Sequence, residues 1–285
     1  MLAAPIASAA YSLAAVLAWG TSDFLGGYAS RRANVFVFTA IVNVGGLLLM
    51  AALLGATHPA PPSVRSALWV LAGGISGGAS LAIFYRALSS GRMGLAAPVA
   101  AVLSAAIPTL FSMITEGLPG PIRSLGFVLA VVGLWLITRS EDGSTPEGIE
   151  LAILAGLGFA GFYLCIRQGG DASVIWIASL TRFGGLLATA VIVLALRTFG
   201  KIKLRDLAAT VVPWAVAAGC IDSLGTILFV RASQSGRLDE AVVLSSLYPA
   251  ITVLLARLFL KEHFTPWKLA GIVAALAAVP MIAKG

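Results

Sequence analysis

Three ionisable side chains stand inside long apolar runs of the sequence: Asp23, Arg182 and Asp222. A charge at bilayer depth costs about 3 kcal/mol or more, so each needs an opposite charge or a watery cavity. Asp222 lies in GCIDSLGT with no other charged residue within eight positions. It reads either as a site for a substrate amine or a proton, or as a buried partner of Arg182 that holds helices together. Both readings stay open. Asp23 sits near the end of the first apolar run and is either a site residue or interfacial. Arg182 stands well inside its helix. Four aromatics, Trp19, Tyr85, Tyr163 and Tyr248, could touch apolar parts of a small molecule, and Ser104 and Ser245 precede Pro108 and Pro249. The candidate substrate-binding set is therefore Trp19, Asp23, Tyr85, Ser104, Tyr163, Asp222, Ser245 and Tyr248.

Catalytic chemistry has no comparable support. GGISGG, Gly73 to Gly78, fits the hydrolase pattern G-x-S-x-G at Ser76, but that motif needs a strand before the serine and a catalytic histidine. Here the serine falls within a helical run, and His58 and His263 fall in loops. The same glycines form two small-xxx-small pairs, which let a neighbouring helix approach closely. No phosphate-binding loop, H-E-x-x-H or Cys/His ligand set is found, and Cys165 and Cys220 read as small core residues. The chain is expected to be no enzyme, to use no ATP, and to carry no cofactor and no metal.

The solvent of these runs follows from composition. Hydrophobic residues make up 59%, charged residues 11%, and the mean hydropathy is +0.97. Soluble domains are about 45–50% apolar. The lipid bilayer is thus the expected partner. The net charge of +7 is scattered between apolar runs rather than gathered in a patch, so no nucleic acid is expected. Runs near the roughly 20 residues needed to cross a bilayer can be read at 5–25, 34–55, 66–88, 94–115, 122–139, 148–168, 173–198, 209–231, 238–260 and 267–283. β-barrel strands would be half as long and alternate, so the fold class is all-α integral membrane, with ten transmembrane helices. The first run lacks a basic lead and reads as a retained span.

The chain also repeats itself. FYRALSSGRM, from Phe84, is echoed by FVRASQSGRL, from Phe229, with Arg86 opposite Arg231. IVNVGGLLLMA and LTRFGGLLATA set Asn43 against Arg182. The polar break SEDGSTPEG divides five runs from five, giving a first repeat over 1–140, a central loop over 141–147 and a second repeat over 148–285. Because five is odd, the second repeat enters the membrane from the other side, which makes an inverted pair around a central cavity. Each copy reads as a helix, a tight turn and a proline-broken helix. The register of the fourth helix against the ninth stays open between two alignments.

WGTSDFLGG from Trp19, YRALSSGRM from Tyr85, TRF from Thr181 and LSSLYPAITVLLARLFLKEHFTPWKLAGIVAALAAV from Leu244 resemble the EamA-type transporters of the drug/metabolite transporter superfamily. The resemblance implies a multi-pass carrier of the cell inner membrane that exports amino acids, such as aromatic amino acids and threonine, or similar small metabolites by alternating access, with Arg182 as a structural charge; whether the chain works as a monomer stays open. Carriage of sugars, nucleotides or cationic drugs is the alternative on the same fold. An intramembrane lipid-acting enzyme or a non-transporting receptor would each lack solute flux. Loop Lys and Arg favour one membrane face by about two to one, which puts both termini outside. The resemblance implies termini inside, and the orientation stays open.

Overall fold

The computed structural model describes residues 3–30, 32–89, 93–118, 120–138, 149–170, 172–200, 209–260 and 266–284. The central loop 141–147, the echoing Gly91 and Arg92, His263, and much of the loop charge that bears on orientation lie outside these residues. Among the described residues every regular element is a helix. They are α1 (Ala3–Ser30), α2 (Val35–Thr57), α3 (Val64–Ser89), α4 (Met93–Glu116), α5 (Pro121–Thr138), α6 (Ile149–Arg167), α7 (Val174–Thr198), α8 (Val212–Ser235, entered through a 3-10 turn at Ala209–Val211), α9 (Leu238–Ser245), α10 (Tyr248–Leu260) and α11 (Pro266–Lys284). Five of them, and the α9–α10 pair taken together, are long and apolar enough to cross a membrane. Hydrocarbon offers the backbone no hydrogen bonds, which is why such runs become helices. Caps hold the free ends: Asn34 accepts from the backbone N–H groups of Phe36 and Val37, and Ser173 from that of Ile175.

The ninth run is two helices. Pro249 has no N–H to continue the ladder, and α9 stops at Ser246, where the chain turns through i→i+3 bonds from Leu247 to Leu244 and from Ala250 to Leu247. In contrast, α4 runs unbroken past Pro108, so the expectation of a broken helix in both copies is corrected to one.

Packing follows an exchange rule. α1 packs on α8 as α6 packs on α3; α2 on α8 as α7 on α3; α1 on α9 and α10 as α6 on α4; and α5 pairs with α11. Glycines reveal the rule residue by residue. A Cβ at Gly45 would strike the backbone of Val216, and one at Gly184 that of Leu71. A Cβ at Gly219 would strike Val42, and one at Gly74 would strike Thr181. Gly78 lies on Gly185 as Ser223 lies on Gly46. All six contacts obey the register that sets Asn43 against Arg182 along α2 and α7, and Arg86 against Arg231 along α3 and α8. The two halves are therefore related by a pseudo-twofold in which their third helices cross onto each other's second.

Lipid-side faces carry large apolar groups such as Leu48, Leu68, Val191 and Leu258. Trp69, Trp135, Trp214 and Trp267 are also exposed, as expected for a belt. Between the halves, GGISGG serves two neighbours: Gly74 and Gly78 meet α7, while Gly73 and Gly77 meet Cys165 and Phe162 of α6.

Gly219→Ala is expected to push α8 off α2 and cost about 1–3 kcal/mol. Gly55→Ala, with open space around its Cβ, should be neutral or gain up to about 1 kcal/mol of helix propensity. Melting curves of the detergent-solubilised variants check the contrast.

Candidate functional site

Where the two halves meet, α1, α2, α3, α6, α7, α8 and α10 enclose a cavity. Its volume is about 70 Å³. Its wall holds six of the nine residues singled out from the sequence: Trp19, Asp23, Tyr163, Arg182, Asp222 and Tyr248. The other three stand outside it. Tyr85 is fully buried, its ring against Phe38 and Phe84 in the space that Gly26 leaves. Ser104 returns its hydroxyl to the carbonyl of Ala101 within α4, and Ser245 is buried in α9 beside the helix break.

Asp222 and Arg182 form an ion pair, their side chains 9% and 8% exposed. Arg182 Nη2 also donates to Thr226 Oγ1 at 2.9 Å, and that hydroxyl donates to the carbonyl of Asp222 at 3.1 Å. Asp222 thus pairs with Arg182 and also lines the cavity, so the geometry is compatible with both readings given for it. The carbonyl of Asp222 further accepts from Trp19 Nε1 at 3.2 Å, and Ser22 donates to Ala218 at 2.9 Å, so α1 is pinned along α8.

Asp23 differs. Its helix α1 continues to Ser30, and the residue is 6% exposed and lines the cavity. Among the described residues it has neither hydrogen-bond nor ion-pair partner, and its electrostatic neighbour Asp222 has the same sign.

The exchange rule locates the origin of this polarity. Asp222 corresponds to Gly77 and Arg182 to Asn43. Trp19 packs on Gly225 as Gly158 packs on Ser80, which sets Asp23 against Phe162. All six of these residues line the cavity. One side of the pseudo-twofold thus carries Asp23, Asp222 and Arg182, and the mirrored side carries Phe162, Gly77 and Asn43. The missing side chain of Gly77 is where the Phe162 ring lies. Aromatic packing ties the sides together: Trp19 is 6.2 Å from Tyr163 and 6.4 Å, edge-on, from Tyr248, while Tyr163 is 4.9 Å from Phe229 between centroids.

Sequence reasoning passed over Asn43, Phe159, Phe162, Thr181, Thr226 and the cavity role of Gly77 and Gly78. The signal was present for Asn43, already paired with Arg182 by the duplication, and for Phe162, adjacent to Tyr163.

Asp222→Ala would strand the Arg182 guanidinium and is expected to cost about 3 kcal/mol or more. The double variant Arg182→Met with Asp222→Leu should lose less than Asp222→Ala alone, as read by thermal unfolding in detergent.

Comparison with known proteins agrees with this architecture. Residues 7–139 and 146–284 each match the family model described as EamA-like transporter family. A solved structure described only as the crystal structure of a protein is similar with a TM-score of 0.73 at 17% identity, covering 96% of this chain and 95% of its own, a likeness of fold. A search of curated proteins finds no match.

Proposed function

The chain belongs to the EamA-like transporter family, a family of membrane carriers for small molecules rather than enzymes, and from that premise we propose that it is a secondary carrier of amine-bearing small metabolites, amino acids among them, exporting them across the inner membrane. Ten crossings in two inverted sets of five, with α9 and α10 counted as one, are the arrangement this reading requires. The two sets rock about the cavity and expose it to each face in turn.

The observation that carries the reading is the cavity itself. It lies at the pseudo-twofold between the halves, where alternating access needs it, and it holds an unpartnered carboxylate, Asp23, beside aromatic rings. A buried lone carboxylate attracts a positive group and repels a negative one. Among carriers on this fold, an amine-bearing cargo is favoured over a nucleotide, whose phosphates Asp23 and Asp222 would oppose, and over a sugar, which leaves Asp23 without a counter-charge. The break at Ser246–Leu247 and the glycine-lined crossings supply places where helices can shift.

Reconstituted into liposomes, the purified chain should move labelled amines or amino acids down a gradient without ATP. Tyr163→Ala, which strips one wall of the cavity, should cut that flux about tenfold, a loss of about 1.4 kcal/mol of contact. Liposomes that pass none of these solutes faster than protein-free controls would remove the carrier assignment.

A further inference from the structure

The cavity is built for one kind of charge at one end. Its lining holds two carboxylates and one guanidinium, and the charge of that guanidinium is already balanced: Arg182 pairs with Asp222 through Nη1 and donates to Thr226 through Nη2, while its buried Nε has no hydrogen-bond partner. A substrate carboxylate arriving at Arg182 would meet the like charge of Asp222, which already balances Arg182, with Asp23 close by. A substrate cation displaces nothing. It supplies the counter-charge that Asp23 lacks among the described residues, and with all four groups ionised it brings the site to neutrality.

The mirrored side carries no charge, and Asn43 is its polar group. The exchange rule puts Phe162 where Asp23 has its counterpart and Gly77 where Asp222 has its own, and Phe159, Leu81 and Gly78 extend this face. The rings of Trp19, Tyr163 and Tyr248 also line the cavity, and an aromatic π face favours a cation by about 0.5–2 kcal/mol where it meets one. Charge on one side and a largely apolar wall on the other define a molecule with the same division.

Resting on the carrier reading above, we infer that the substrate is an organic monocation with an apolar or aromatic body and no carboxylate, its cationic centre at Asp23 and its body against Phe162. An amino acid fits less well than the amine obtained by removing its carboxyl group, because Arg182 is the one cation among the described lining residues and Asp222 already balances it.

Three probes of one skeleton test this: trimethyl(phenethyl)ammonium, whose fixed charge cannot leak through lipid as a neutral amine; the zwitterion phenylalanine; and the anion phenylpropionate. Calorimetry on the detergent-solubilised chain measures binding, and liposome flux measures transport. The cation should bind about tenfold or more tighter than phenylalanine, phenylpropionate should show no binding, and only the cation should be carried at low concentration. Asp23→Asn should weaken cation binding at least about tenfold while Asp23→Glu keeps it. The three-probe ranking on the unaltered chain stands as a test even if Asp23→Asn does not fold. Phenylalanine bound and moved as well as the cation, or better, overturns the inference and leaves the carrier intact. Preference for the anion does the same, and an Asp23→Asn variant that folds and binds the cation unchanged also overturns it. Silence from all three probes in both assays removes the inference together with the carrier.

Discussion

Four helices of this chain touch backbone to backbone, and that contact sets where everything else can go. Gly74, Gly78, Gly184 and Gly185 join α3 to α7, and Gly45, Gly46 and Gly219 join α2 to α8. In lipid, two apolar helices gain little by hiding from their surroundings, since the lipid is as apolar as they are. Close approach and the dispersion it brings are what remain, and a Cβ at any of these crossings would forfeit them. With α2, α3, α7 and α8 drawn together at their glycines, α1 and α6 have to cross the outside of this quartet. The cavity lies between them, lined by Gly74, Gly77 and Gly78 together with Asp222, Arg182 and the Phe162 ring.

Within that frame the polar groups are economical. Trp19, Ser22 and Ser8 each spend their donor on a backbone carbonyl of α8, which fixes the face that α1 presents. Thr252 reaches the carbonyl of Gly20 at 3.1 Å and ties α10 to the same helix. On the mirrored side Ser76 donates to the carbonyl of Gly158 at 2.7 Å, joining α3 to α6. The bonds differ in chemistry but hold equivalent helix pairs. With these donors engaged, Asp23 is left as the ionisable group on α1 that has no hydrogen-bond or ion-pair partner among the described residues.

Much of this was legible before any coordinates, because duplication leaves direct marks. Arg86 against Arg231 and Asn43 against Arg182 carried the register that the glycine contacts later obeyed. The same register already set Gly77 against Asp222, so the lopsided charge could have been read from the letters alone. Tyr85 and Tyr163 show the limit. Each is a tyrosine in an apolar run, and which one faces the void depends on helix rotation set by Gly26 on one side and Phe229 on the other, contacts far apart in the chain. Prolines behave similarly: Pro108 and Pro249 both interrupt the backbone ladder, yet α4 bridges the gap and the ninth run does not. A missing N–H is a local fact, whereas the decision between a bend and a break belongs to the neighbours.

The lopsided cavity also bears on why the two halves share one polypeptide. A dimer of identical five-helix chains arranged about a true twofold would have to place Asp23, Asp222 and Arg182 on both sides of the void or on neither. Two copies would crowd four carboxylates around one small space; none would leave a greasy hole. Covalent fusion lifts that restriction, since each half can then vary by itself. Gly77 and Asp222, set as counterparts by the shared register, are what that freedom looks like in this molecule.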